Sequence, residues 1–600
     1  MNTIPIKKNQ LLELEIDALT GEGAGVGRLD GYVLLVSWAL PGERIRTLIL
    51  RVTPGYGIGK LVEVLRPSPN RVEPNCPAYP RCGGCTLRHL SYAMQLEEKR
   101  KQVGDALVRI GGLSDAKVQP VLGMAEPDHY RNKGAFPYGY GPDGRLTFGF
   151  FASRSHRLIP AENCAIERPE VMECIRAMGD WARKYAIEPY DERTHQGCLR
   201  HGVVRVTGEG KTMAVLVTTG SLPHKKELLA SLPMADTVYH NVNERDTNVI
   251  MGEKLTLLKG EPALTDNICG LNFRVSPHSF LQVNAQQTRV LYETALSFLD
   301  PQPQETIADL YCGMGAISLL LAKRCKKVLG IENVPAAVED AKENARLNGI
   351  TNTDFLCAPA EEALPMLMAQ GLAPDAITLD PPRKGCDKRV LEAILASSVR
   401  RLVYVSCNPA TLARDLQVLT AGGFHLLRVQ PVDMFPHTGH VETVCLLSKL
   451  NTKQHIEINL DMDELDLTDA EKKNVNAVLD YNMKDKEVIT TLKPVTDAMA
   501  NVSEVISTAK LLGDAADDKL LNYSFVMNIY NSKIKDNQSP EGMPDTSAAY
   551  KEYTDALAKI AERETVLNEK IKAADYSDKV GAVSAQLNII QTLSADKYYK

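Results

Sequence analysis

The chain has 600 residues, a formal net charge of −6 and 13 cysteines. Its first residues, Met1 to Lys8, hold no apolar signal region, and no apolar run approaches the ~20 residues a membrane span needs, which excludes a membrane protein. So many cysteines, several of them in a ligand-like loop, fit a reducing compartment, so a cytoplasmic protein is expected, and the length suggests about four domains.

Residues 1–62 alternate apolar and polar positions in short runs such as Leu12 to Ile16 and Tyr32 to Val36, separated by glycine-rich turns. This spacing predicts a small five-stranded β-barrel of the oligonucleotide-binding kind.

Residues 63–275 are expected to form a central mixed α+β domain. Cys76, Cys82 and Cys85 stand within ten residues among prolines and glycines, a pattern that suits a ligand loop better than a packed core. Four thiolates complete either an iron–sulfur cluster or a closed zinc site, and Cys164 is the best fourth. A basic helix around Lys99 to Lys101, and strands around Tyr130 to Phe136 and Phe148 to Phe151, interleave basic and aromatic residues. That mixture suits phosphate contact and base stacking, although a solvated face looks the same.

Residues 276–450 predict a Rossmann-like sheet. Thr306 to Leu310 reads as a strand, Tyr311 to Gly315 as a glycine turn, Ala316 to Lys326 as a helix, and Val328 to Ile331 as a second strand ending at Glu332. That is one βαβ unit, with a carboxylate 17 residues beyond Gly315 where it can accept hydrogen bonds from ribose hydroxyls. The third glycine of the dinucleotide fingerprint is missing, so an adenosyl ligand without pyrophosphate, S-adenosylmethionine above all, fits better than NAD. Asp380 precedes two prolines, which bar continued strand or helix and hold its carboxylate at the ligand-binding edge. Val403 to Ser406 reads as a buried strand delivering Cys407 to a turn, Asn408-Pro409, and a polar loop from Asp433 leads into a last strand through Glu442. Arg383 and Arg414 lie nearby in sequence as cations able to favour a thiolate.

Residues 451–600 differ in character. They hold no cysteine, three of the 33 prolines and three of the 41 glycines, with 18 Lys and Arg against 26 Asp and Glu. The first 450 residues are therefore close to neutral, and the overall charge does not oppose RNA binding. Tyr553, Leu557, Ile560, Leu567 and Ile571 make a heptad-like stripe, so a helical tail of unknown role, able to offer a surface to a protein partner in an otherwise monomeric protein, is expected.

The stretches Ser406 to Thr411 and Met434 to Glu442 make residues 8–450 resemble the S-adenosylmethionine-dependent RNA uracil C5-methyltransferases, which form 5-methyluridine. The resemblance implies Cys407 as nucleophile and Glu442 as base, and Gln282, Tyr311, Glu332 and Asp380 as contacts to the methyl donor. It also implies that the barrel is a TRAM domain, that Cys76, Cys82, Cys85 and Cys164 hold a [4Fe-4S] cluster, and that the catalytic sheet has seven strands. The pairing of barrel and cysteines favours 23S ribosomal RNA over tRNA as substrate. One departure is visible: Ala316 stands where relatives of the ribosomal type often have asparagine. A non-catalytic RNA-binding protein with a cluster is the rival reading, which the presence of both Cys407 and Glu442 disfavours.

Overall fold

The computed structural model describes residues 4–449 apart from 154, 247, 248 and 370. The expected helical tail, its heptad stripe and its partner surface lie outside the described residues.

Five strands, β1 (Leu11–Leu19), β2 (Ala24–Leu29), β3 (Tyr32–Ser37), β4 (Arg44–Val52) and β5 (Tyr56–Arg66), close into a barrel in the order β1-β2-β3-β5-β4. The period-2 pattern turns Leu14, Ile16, Leu34, Val36, Ile45 and Ile49 inward and leaves Glu13, Arg44, Arg46 and Glu63 outside as an ion-pair ladder. Closure removes the unpaired edges that five short strands would otherwise expose.

Helix α1 (Tyr92–Arg109) follows the cysteine loop. The central sheet is then built from β6 (Lys133–Tyr140), β7 (Leu146–Phe151), β8 (Leu158–Pro160), β9 (Leu199–Val206), β10 (Thr212–Thr218), β11 (Thr237–Val242) and β12 (Lys254–Lys259), with helices α2 (Pro169–Lys184) and α3 (Lys225–Ser231). Its order is β12-β11-β10-β9-β6-β7-β8. Of the aromatics expected to stack on bases, Tyr130, Phe136 and Phe148 are buried, Phe136 and Phe148 packing edge to face in the core, while Phe150 and Phe151 are half-buried. In the basic helix Lys99 is 1% exposed and paired with Asp433, whereas Lys101 stays exposed.

A hairpin of β13 (Leu264–Ile268) and β14 (Leu271–Val275) precedes helix α4 (Ala285–Leu299). Its Ile268, Leu271, Phe273 and Val275 join the apolar cluster of the catalytic sheet. That sheet comprises β15 (Thr306–Leu310), β16 (Lys327–Glu332), β17 (Thr353–Cys357), β18 (Ala376–Leu379), β19 (Arg401–Ser406), β20 (Phe424–Val432) and β21 (Glu442–Lys449), connected by α5 (Ala316–Ala322), α6 (Pro335–Leu347), α7 (Ala360–Ala369), α8 (Lys388–Ala396) and α9 (Pro409–Ala421). The order is β17-β16-β15-β18-β19-β21-β20, and β21 runs antiparallel to both neighbours. Chain order reverses between β15 and β18, the place where open α/β sheets form a crevice at the carboxyl ends of their strands.

Candidate active site

The crevice begins where β15 ends. Tyr311, Gly313 and Gly315 all adopt left-handed backbone, with φ of 64°, 55° and 84°. Glycine accepts this readily, whereas at Tyr311 it is a strained position of the kind that clusters at ligand sites. The turn is fastened to the next strand: Gly313 N donates to Glu332 Oε2 at 3.1 Å and Val334 N to Glu332 Oε1 at 2.9 Å. Each carboxylate oxygen keeps a further lone pair for a ligand hydroxyl. Asp309, two residues before Tyr311 in β15, accepts from Ser318 Oγ at 2.5 Å and Thr378 Oγ1 at 2.6 Å. It is pushed up to about 6 by burial against these hydrogen bonds, and it ties β15 to α5 and β18 rather than facing the crevice.

Register brings three of the expected donor contacts to one edge. Leu310 pairs with Ile331 on one side and Leu379 on the other, so Tyr311, Glu332 and Asp380 follow at the same level. Gln282 is different: it lines a cavity of about 320 Å³ with Asn132, Asp266 and Arg289, and none of the other three lines that cavity.

Cys407 and Glu442 meet across an antiparallel pair. Ser406, the last residue of β19, is opposite Thr443, so Cys407 one residue beyond the strand comes close to Glu442, whose charge acts on the thiol. The turn is locally encoded. Asn408 N donates to Ser406 Oγ at 3.2 Å, the Asn408 side chain accepts from Ala410 N at 3.0 Å, and Pro409 takes the first helical position of α9. The thiol therefore stands just ahead of a helix N-terminus, whose dipole favours an anion.

The surrounding charges oppose it. Burial, then Glu442 and Asp380, push the Cys407 thiol up to about 11, against the pull of Arg383. Glu442 is pushed up to about 8 by burial and by Asp380, and Asp380 to about 7 by burial and by Asp309. Three acids thus disfavour one another's ionisation, and Arg383 is the cation that relieves Cys407 and Glu442. Sequence named Arg383 and Arg414 as two nearby cations without choosing between them. The Arg383 carbonyl accepts from Asn408 Nδ2 at 3.3 Å and Thr411 Oγ1 at 3.2 Å, which fixes the Asp-Pro-Pro loop to the cysteine turn. Arg414 instead pairs with Asp415.

The cysteine loop adjoins this centre. Thr86 N and Leu87 N both donate to His437 O, at 3.0 and 2.9 Å. Cys76, Cys82, Cys85 and Cys164 line one cavity of about 360 Å³, which Arg383 and His440 of the catalytic domain also line. All four are free thiols. Among the described residues, no three His, Cys, Asp or Glu side chains converge tightly enough to hold a metal ion.

Residues 261–450 match the family described as tRNA (Uracil-5-)-methyltransferase, and residues 6–62 match the TRAM domain. An RNA methyltransferase of Halalkalibacterium halodurans is 48% identical over 453 residues, covering 74% of this chain and 99% of that one. The chain belongs to the RNA uracil C5-methyltransferase family. A further family relative, an RNA methyltransferase of Oceanobacillus iheyensis, is 45% identical over 74% of this chain and 98% of its own length. Among solved structures, the Pyrococcus abyssi tRNA (uracil-54, C5)-methyltransferase in complex with S-adenosyl-L-homocysteine superposes with a TM-score of 0.59 at 26% identity, over 73% of this chain and 100% of that one. Membership makes the chain an S-adenosylmethionine-dependent RNA methyltransferase with an RNA-binding TRAM barrel at its N-terminus. No helix among the described residues is long and apolar enough to cross a membrane.

Proposed function

We propose that the protein methylates C5 of a uridine in structured RNA through a covalent adduct at Cys407, with Glu442 as base. The observation that carries this reading is the β19–β21 register, whose last pair, Ser406 opposite Thr443, brings Cys407 close enough to Glu442 for their charges to interact, at the sheet edge to which Tyr311, Glu332 and Asp380 also lead. Uracil C5 is too weak a nucleophile to take a methyl group directly. The Cys407 thiolate adds to C6, and the electron pair of the C5–C6 double bond moves into an enolate that makes C5 nucleophilic. S-adenosylmethionine supplies the methyl group and leaves as S-adenosylhomocysteine. Glu442 then removes the C5 proton, the C5–C6 double bond re-forms and the carbon–sulfur bond breaks. Arg383 is the cation that eases ionisation of both Cys407 and Glu442. Gln282, Tyr311, Glu332 and Asp380 are proposed as donor contacts; the amide-pinned Glu332 carboxylate suits the ribose hydroxyls.

A [4Fe-4S] cluster held by Cys76, Cys82, Cys85 and Cys164 is part of the proposal. Four soft thiol donors line one cavity, which supports a cluster, and zinc is the alternative, since four cysteines also make a closed tetrahedral site. The cluster would be held by these thiols beside the catalytic loop, and no step of the reaction is assigned to it.

The substrate proposed is 23S ribosomal RNA, on the pairing of barrel and four-cysteine cavity in one chain. A second reading, tRNA, is favoured by the Pyrococcus abyssi neighbour, itself a tRNA enzyme. Flipping the uridine costs least from a loop, so an unpaired site is expected in either case, reached by a monomer in the cytoplasm. The test is methyl transfer from labelled S-adenosylmethionine to unmodified 23S RNA and to tRNA, with the product nucleoside mapped by mass spectrometry. Label in 5-methyluridine of ribosomal RNA, lost in Cys407→Ala, supports the proposal. Label only in tRNA selects the second reading, and label in neither favours a binding protein.

A further inference from the structure

The loop between β20 and β21, which ends at Glu442, is held by a face of α1 that no step of the proposed reaction uses. The buried positions of α1 are Gln95, Lys99, Val103 and Leu107. Val103 and Leu107 join the apolar core of the catalytic sheet, but the first two are polar: Lys99 and the Gln95 carbonyl oxygen reach the loop, while Gln95 Nε2 donates to Leu87 O and Leu90 O at 3.1 and 2.8 Å. Lys99 Nζ is ion-paired with Asp433 and donates to Phe435 O at 3.0 Å. Gln95 Oε1 accepts from His437 N at 2.9 Å. Tyr92 Oη donates to the second carboxylate oxygen of Asp433 at 2.8 Å and itself accepts from Met124 N at 2.8 Å. Both members of the ion pair are essentially unexposed, at 1% and 0%. A buried pair of this kind is weak as a source of stability, because desolvation offsets the attraction, and its best-attested use is to specify one arrangement.

The loop gains further anchors before it reaches the base. Tyr130 Oη donates to Pro436 O at 3.2 Å, and Gly439 N donates to Thr86 Oγ1 at 3.2 Å. Glu442 follows three residues later as the first residue of β21. Its place close to Cys407 therefore depends on a path that the central domain fixes from outside the catalytic sheet.

We infer that Tyr92, Gln95, Lys99 and Asp433 form a clamp of positioning residues that holds the β20–β21 loop so that Glu442 can reach the C5 proton of the methylated adduct. This rests on the reading of Cys407 as nucleophile and Glu442 as base. Loosening the clamp slows proton removal and release of the thiol, while addition and methyl transfer, which depend on the separately anchored Cys407 turn and donor crevice, are affected less. The covalent RNA–protein intermediate then accumulates.

The experiment is single-turnover rapid quench on the full chain with labelled S-adenosylmethionine and the RNA it methylates, counting label in free RNA and label in the denaturant-resistant RNA–protein adduct. The variants are Tyr92→Phe, which removes one hydroxyl, and Lys99→Met paired with Asp433→Asn, which leaves no orphaned charge; Glu442→Gln is the reference. A general base contributes about 10²–10⁴ in rate, so partial misplacement is expected to raise the adduct-to-product ratio by roughly tenfold in the clamp variants and further in Glu442→Gln. Adduct accumulating in Glu442→Gln but not in Tyr92→Phe or the paired variant would overturn the clamp and leave the base standing. No accumulation in Glu442→Gln itself would overturn the base reading, and the clamp with it. Should the paired variant fail to fold, Tyr92→Phe decides alone, since melting temperatures establish which variants are folded at the assay temperature.

Discussion

Replacing Glu442 with glutamine is expected to make the protein more stable while stopping turnover. The carboxyl of Glu442 is fully buried and stands at about 8 against an ordinary 4.5, with burial the first cause and Asp380 the second. In the unfolded chain it ionises near 4.5, so folding above that pH must either reprotonate it or bury a charge. The sign is fixed by this: the raised group favours the folded state fully below about 4.5, and that contribution is lost as pH rises through about 8. At about 1.4 kcal/mol per pH unit, the cost carried by the native protein is on the order of 3 kcal/mol at pH 7 and approaches ~5 kcal/mol above pH 8. A glutamine of the same shape carries none of it. The assay is urea unfolding of native and Glu442→Gln proteins at several pH values from 5 to 9, reading the catalytic-domain transition. The stability gap should be near zero at pH 5 and widen steadily towards pH 8. A gap independent of pH, or a glutamine variant less stable than the native protein at pH 8, would refute the assignment of a buried, charge-opposed carboxyl.

Cys407→Ala should retain S-adenosylmethionine binding, measured by calorimetry, while losing both methyl transfer and the covalent RNA adduct. Because Cys407 is pushed up to about 11, the single-turnover rate of methyl transfer should keep rising between pH 6 and 9; a plateau below pH 7 would show that the thiol is already ionised. Gly315 has a φ of 84°, and a Cβ there would lie 3.1 Å from Ala341 Cβ. Gly315→Ala should therefore cost about 1–2 kcal/mol of backbone strain and weaken donor affinity roughly tenfold, read by the same calorimetry. At Gly439 a Cβ would lie 2.2 Å from Gly21 O in the β1–β2 turn of the barrel. Gly439→Ala should push that turn away, which limited proteolysis near residues 20–24 would report, with a matching loss of activity.

The barrel, the glycine turn and the two strand-end motifs were legible because each is a local property of the chain. Alternation with period two selects a strand, positive φ at Gly313 and Gly315 selects glycine, and Asn408-Pro409 is a helix start in two residues. Cys407 and Glu442 could be singled out for the same reason, since each stands where a strand meets a turn. Phe136 of β6 and Phe148 of β7 were misread because a basic-aromatic alternation has the same pattern whether the rings face RNA or the core; only the helix packed on the sheet, α2, decides that Phe136 and Phe148 are inside.

What the sequence by itself determined is the set of local backbone shapes and the chemistry they carry: a sheet of nucleotide-binding type, a thiol and carboxylates at strand ends, and four cysteines in ligand-like surroundings. What the tertiary structure alone decided is which of these meet. The β19–β21 register brings Cys407 close to Glu442, parallel pairing levels Tyr311, Glu332 and Asp380, and docking of α1 turns Lys99 from an apparent RNA contact into a buried partner of Asp433. Gln282, grouped with the donor contacts by the family resemblance, lines a cavity with Asn132, Asp266 and Arg289. Hydrogen-bond register and interdomain docking join residues far apart in the chain, and their energies depend on surfaces that exist only once the elements have packed, so no local pattern encodes them.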